Sequence, residues 1–260
     1  MTSYTFGDSA IASERLRIVA EVMEPVAREF LGRVREPERV RDVLDLGCGP
    51  GHTTRLLAAC FPNATVTGID QSTAYVDEAR LTAGARCQFG VSDVDVAALP
   101  GAPADVIYAR YLLSHLVDVP RAVTRWCDAL RPAGSLCLEE PEAISSTDPD
   151  FREYERVASS LVQTTGASLY AGPLIAAMAT PEGVDRVHDE TVVIDITAGQ
   201  AAAMFWRNTR AWDRDALARA GHDAAAVERI GNRLRAREND PTRGLFDWRQ
   251  RQVIFTKPRG

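Results

Sequence analysis

Val43-Leu44-Asp45-Leu46-Gly47-Cys48-Gly49-Pro50-Gly51-His52 is the stretch on which the reading of this chain turns. An apolar run over residues 40–46 stops in three glycines spaced two apart, and a helical pattern follows over 53–60. Such a run is short for a helix and suits a buried strand, so the glycines make a strand-to-helix turn. Outward from it, residues 64–69, 86–91, 105–109 and 135–139 read as further strands. Residues 72–82, opened by the N-cap Ser72, and 120–130, opened by Pro120, read as helices. Arg131-Pro132-Ala133-Gly134 reads as a turn. Strands alternating with helices at this spacing predict an α/β, doubly wound parallel sheet with right-handed crossovers.

The flanks read differently. Residues 8–35 predict one or two amphipathic helices, broken near Pro25. After Glu140 the alternation fails: 149–180 is helical with a break over 166–172, 186–196 alternates with period two, 198–239 is helical, and 251–257 is a last short strand. The expectation is one domain over 1–260 with a seven-stranded, mostly parallel sheet. N-terminal helices occupy 1–35, the core 36–144, and helical cap insertions at 145–180 and 198–239 lie over the sheet's C-terminal edge.

The composition narrows the class. Acids outnumber bases 36 to 30, a net charge of −6, so nothing global points to a nucleic-acid partner. Lys257 is the one lysine; the other bases are arginines, which with the many alanines looks like codon bias. The five cysteines, Cys48, Cys60, Cys87, Cys127 and Cys137, include no C-x-x-C pair, which argues against a disulfide framework or a zinc cluster. No metal is expected. Met1 to Asp8 lacks the basic-then-apolar pattern of a signal peptide, and no apolar run is long enough for a membrane span. A cytoplasmic location with no membrane partner is expected, as a monomer or homodimer.

The glycine turn is where a ligand meets the backbone of a doubly wound sheet. A phosphate loop would need Gly-Lys-Ser/Thr, which is missing, and a dinucleotide fingerprint would put glycine where His52 stands. Asp45, two residues before the first glycine, suits a ligand with an amino group better than a pyrophosphate. These residues resemble the class I S-adenosylmethionine-dependent methyltransferases, whose first motif matches Leu44 to Gly51. The resemblance implies a Rossmann-like methyltransferase fold with S-adenosyl-L-methionine as cofactor. It implies that the loop with Gly47 and Gly49 carries the cofactor's methionine part. It further implies that Asp70 accepts both ribose hydroxyls with Gln71 beside it, and that Tyr75 lies against the adenine. Asp93 would take the adenine amino group with the Val94 backbone beside it, and Arg110 would lie near the cofactor's amino group and methyl. Leu130-Arg131-Pro132-Ala133-Gly134 looks like the family's turn before the fifth strand, with Ala133 in place of a glycine. The likeness covers residues 40–140 and is nearest to bacterial small-molecule enzymes, similar to trans-aconitate and ubiquinone/menaquinone C-methyltransferases.

Methyl transfer from a sulfonium asks the protein to position the acceptor, exclude water and in some cases remove a proton. His115 is a candidate general base and Glu140 a candidate to hold or deprotonate an amine or hydroxyl. Strand alternation lets at most one of Glu139 and Glu140 face the site. Tyr111, Ser114, Tyr170 and Trp206 are candidates for the acceptor pocket, and Tyr4, in a short N-terminal segment, for the cofactor's carboxylate. Ala109-Arg110-Tyr111 replaces the Asn/Asp-Pro-Pro-Tyr sequence of enzymes that methylate nucleobase or glutamine amines. The expected activity is methyl transfer to an N, O or C atom of a small metabolite, such as one of specialised biosynthesis. The alternative is a cofactor-binding regulator, scaffold or sulfonium-assisted cyclase. A nicotinamide oxidoreductase fits less well, given His52, Asp45 and Asp93.

Overall fold

Residues 7–95 and 98–259 are described by a computed structural model. Helix α1 (Ala10–Leu31) leads into β1 (Asp42–Leu46), α2 (His52–Cys60), β2 (Thr65–Asp70), α3 (Thr73–Leu81) and β3 (Cys87–Val91). Then come β4 (Ala104–Arg110), α4 (Val119–Asp128) and β5 (Leu130–Ser146). The remainder is α5 (Pro149–Gln163), α6 (Gly172–Ala177), β6 (Asp185–Val193), α7 (Ala198–Ala211), α8 (Arg214–Arg219), α9 (Ala224–Arg235) and β7 (Phe246–Thr256). The strands form one sheet in the order β3-β2-β1-β4-β5-β7-β6. β1 to β5 pair in parallel, and β7 lies antiparallel between β5 and β6. The strand order reverses between β1 and β4, which places a ligand crevice at their C-terminal ends.

Alternation along the strands fills both faces. Val43, Val66, Val106 and Cys137 pack against Phe30 and Leu31 of α1 and Leu56 and Leu57 of α2. Leu44, Ile107 and Leu136 pack against Val123 and Trp126 of α4. A third cluster joins the middle of α1 to α5, α7, α9 and Trp248 of β7.

Four expectations need correction. α1 is one continuous helix with Pro25 inside it. Buried side chains on both sides of the proline, Ile18, Val19 and Met23 before it and Ala27, Phe30 and Leu31 after it, offset the lost backbone hydrogen bond. The 131–134 turn is a bulge within β5: Ala133 has φ +65°, and pairing with β4 jumps from Ala104↔Leu130 to Val106↔Ser135. β5 does not stop near Glu139 but runs to Ser146, and β7 begins five residues before Arg251. β4 ends at Arg110, opposite Glu139, so from Ala143 to Ser146 the strand β5 pairs with β7 alone. Pro141, which has no N–H to donate, is tolerated because β4 has ended and no β4 carbonyl is left there to need one. The two strands thereby extend a ribbon past the parallel sheet, and α5 and α7 pack on it.

Candidate active site

The glycine turn is shaped by its backbone. Gly47, Gly49 and Gly51 have φ of +67°, +52° and +82°. A side chain at Gly47 would also strike Leu112, with Cβ 2.8 Å from its Cδ1. The Gly47 and Cys48 amides donate to the Ile69 carbonyl at 2.8 and 3.0 Å, tying the turn to β2. Asp70, at the end of β2, accepts from Gly49 N at 2.9 Å and Ser72 N at 2.8 Å. A carboxylate has about four acceptor positions, so Asp70 keeps capacity for a diol. Burial raises its carboxyl above the usual range. Asp45 stands behind the turn, buried, and its Oδ2 takes the Thr53 and Thr54 hydroxyls at 2.6 Å each. It fastens α2 to β1 and is not in the cavity wall; desolvation lifts it to about 6.

A cavity of about 420 Å³ opens between this turn, the end of β4, the β5–β7 ribbon, α5 and α7. Gly47, Gly49, Arg110, Tyr111, Ser114, His115 and Tyr170 line it. Arg110 ends β4 with its Nη1 buried and without a hydrogen-bond partner among the described residues. Burial works against its charge, and the carboxyl groups of Glu139 and Asp45 nearby work for it. Glu139 is held in place by the Tyr108 hydroxyl and by Gln252 Nε2 at 2.8 Å. Tyr111 has φ +55°, rare and costly for an aromatic residue. Its hydroxyl donates to Gln250 Oε1 at 2.6 Å.

Glu140 does not face the acceptor space. It is fully buried, and its Oε1 accepts from the amides of Leu112 and Leu113 at 2.8 and 2.7 Å. It grips the loop that carries Tyr111, Ser114 and His115. His115 does line the cavity, but desolvation, with the field of Arg15, lowers its imidazolium to about 4, which makes it a poor base. Trp206 also needs correction: it lies away from the cavity, donating to Glu238 Oε1 at 2.6 Å, with Arg207 and Arg235 over its ring. Tyr75 is fully buried, its hydroxyl donating to the Gly7 carbonyl at 2.8 Å, and Ser72 donates to Asp8 at 2.8 Å. The chain entering α1 therefore lies against the end of β2 and the start of α3. Gln71 and Asp93 are exposed there, and Val94 is buried. Tyr4 lies outside the described residues.

Residues absent from the sequence-based expectation complete the wall. Ile144 and Ser145 come from β5, Phe151, Arg152, Tyr154 and Glu155 from α5, Asn208 from α7, and Phe246 and Trp248 from β7. The strict alternation of Phe246, Trp248, Gln250 and Gln252 was the available signal for that last strand. Among the described residues Glu155 is the wall's one carboxylate, and its Oε1 is taken by Tyr170 at 2.7 Å and Ser159 at 2.9 Å. Among them, too, no cluster of residues could hold a metal, and no helix is long and apolar enough to cross a membrane.

A family model described as a methyltransferase domain matches residues 43–134. The chain is 38% identical over 133 residues to a trans-aconitate 2-methyltransferase of Variovorax paradoxus, covering 51% of this chain and half of that one. It is 32% identical over 201 residues to a protein of the same name from Methylobacterium nodulans, covering 76% of this chain and 71% of that one. The chain belongs to the class I S-adenosylmethionine-dependent methyltransferases. The aligned part spans about half the length of the Variovorax relative. The fold is also that of coclaurine N-methyltransferase bound to N-methylheliamine and SAH, with TM-score 0.55, 18% identity, 90% of this chain and 72% of that one. It is equally that of Haemonchus contortus phosphoethanolamine N-methyltransferase 2 with S-adenosyl-L-methionine, with TM-score 0.55, 19% identity, 89% of this chain and 52% of that one.

S-Adenosylmethionine is the family's cofactor, and the residues here suit it. The side-chain-free turn lines the cavity, Asp70, buried behind the wall, has acceptor capacity beyond the two backbone amides it holds, and Arg110 lines the cavity with one buried donor unpaired among the described residues.

Proposed function

We propose that this methyltransferase esterifies a carboxylate of a small organic acid. The observation that carries the reading is Arg110. A guanidinium nitrogen buried without a partner costs free energy until an anion meets it, and its planar fork matches a carboxylate. When bound, S-adenosylmethionine supplies a sulfonium methyl, which passes to a carboxylate oxygen as the carbon–sulfur bond breaks with its electron pair, leaving an ester and a thioether with no proton to move.

The cavity's own groups support an acceptor that is already ionised. His115 is held neutral with a weakly basic ring, Glu155 Oε1 already accepts from Tyr170 and Ser159, and Glu139 and Glu140 lie outside the wall. Arg110 and Arg152 put positive charge at the wall, and the apolar remainder excludes the water that would solvate the acceptor. Curated relatives named trans-aconitate 2-methyltransferases agree with a carboxylic acid as acceptor.

The carboxylate at Arg110 belongs to the acceptor in this reading, not to the cofactor's methionine end. Arg110→Gln separates the two. The expected result is an unchanged dissociation constant for S-adenosylhomocysteine and a kcat/KM for the acid lowered by about 10- to 150-fold, the range for a lost charged hydrogen bond. Weakened cofactor binding with the acid's KM unmoved would assign Arg110 to the cofactor. Transfer to the matching amides as fast as to the acids would remove the carboxylate from the reading.

A further inference from the structure

Arg110 is not the only open polar group in the cavity. Asn208, on α7, is 5% exposed and lines the wall. Its Nδ2 donates to the Tyr154 hydroxyl, and its Oδ1 has no partner among the described residues. Turning the amide over would give Tyr154 the oxygen and leave the nitrogen unmatched, so either way one amide atom waits for a partner. Tyr154 in turn is fixed by stacking on Phe205, with centroids 4.2 Å apart and planes 10° apart, and on Trp212 at 5.4 Å. The amide is thus held by a rigid aromatic layer in a wall whose neighbours are Phe151, Met204, Phe205, Phe246 and Trp248. A buried amide atom in such a setting is costly unless the bound molecule supplies its complement.

We propose that Asn208 is a specificity-determining residue that takes a hydroxyl group of the acceptor. Resting on the carboxylate reading above, this names the substrate class as a hydroxy acid: a carboxylate for Arg110, a separate hydroxyl for Asn208, and an apolar or aromatic body for the surrounding wall. A hydroxyl both donates and accepts, so it satisfies whichever amide atom Asn208 presents. An acid lacking the hydroxyl leaves that atom buried and unpaired, and sites of this kind discriminate strongly against the deoxygenated analogue.

The test uses hydroxyphenyl-substituted short-chain carboxylic acids, with the hydroxyl at each ring position, and their deoxy parents. Binding to the protein loaded with S-adenosylhomocysteine is read by calorimetry, and methylation is read separately with the labelled cofactor. At least one hydroxylated acid is expected to bind about tenfold or more tighter than its parent, a preference that falls to near unity in Asn208→Leu. Tyr154→Phe, which frees the amide from its support, is expected to weaken the same preference while leaving the ring stack in place. Acids bound and methylated with no preference for the hydroxyl, or with the preference intact in both variants, would overturn the assignment of Asn208 and leave the carboxylate reading standing. Binding of none of the acids would remove both.

Discussion

Arg110 is ionised in a buried place, with the carboxyl groups of Glu139 and Asp45 near enough to offset part of the cost of burial. That is a charged residue with a buried nitrogen that finds no hydrogen-bond partner among the described residues. Asp70, at the end of β2, has part of its acceptor capacity used by two backbone amides, and the remainder is the capacity assigned to the ribose. Asp70→Ala is expected to weaken S-adenosylhomocysteine binding more than tenfold, the loss of charge-assisted hydrogen bonds worth ~1.5–3 kcal/mol. Calorimetric titration of the folded variant checks this, and an unaltered dissociation constant would end the ribose assignment. Asp70 and the glycines were legible because a motif of this kind fixes backbone chemistry within a few consecutive residues. The environments of His115 and Glu140 were not. Their side chains depend on burial by segments far away in sequence, and burial moves one down to about 4 and the other up to about 8.

At the scale of elements, the loop after β4 is the piece that must be held. Tyr111 takes a left-handed backbone conformation there, and Glu140 restrains the next turn through the Leu112 and Leu113 amides. Burial raises the Glu140 carboxyl to about 8 from an ordinary 4.5. The folded chain therefore keeps a proton that the unfolded chain has already released. That contribution to stability is complete below about 4.5 and is lost as pH rises towards about 8. Glu140→Gln keeps an acceptor for the two amides and has no charge to bury. Its Tm is expected to fall less than that of the wild type between about pH 5 and about pH 8. Glu140→Ala is expected to lose stability across the whole range, by ~1–3 kcal/mol for amides left without an acceptor. Thermal melts in a pH series decide this, and a Gln variant that tracks the wild type would show that Glu140 is ionised in the fold. The five parallel strands were readable from alternation with helices. The lengthening of β5 and β7 was not, because Glu140 and Pro141 interrupt the apolar run, and only pairing with β7 makes residues 143–146 a strand.

Across the whole molecule, the two faces of the parallel sheet supply the standard scaffold, and the third apolar cluster supplies what is particular to this chain. α5, α7, α9 and the β5–β7 ribbon bury Phe151, Tyr154, Phe205 and Trp248 against α1. The cavity lies where that cluster meets the ends of β1 and β4. Its floor is the glycine turn and the end of β4, and its roof carries the groups proposed above to choose an acceptor. The roof was read as helical insertions without assigned faces, since amphipathic periodicity shows that a helix has a buried side but not which cavity that side borders.

The most direct measurement is the chemical nature of the methylated product. The protein is incubated with methyl-labelled S-adenosylmethionine and a panel of small hydroxy acids, and the product is treated with mild base. Esterification predicts that the label leaves as methanol in step with recovery of the free acid. Label that resists base, fixed on nitrogen, carbon or an ether oxygen, would contradict the assignment of a carboxylate acceptor.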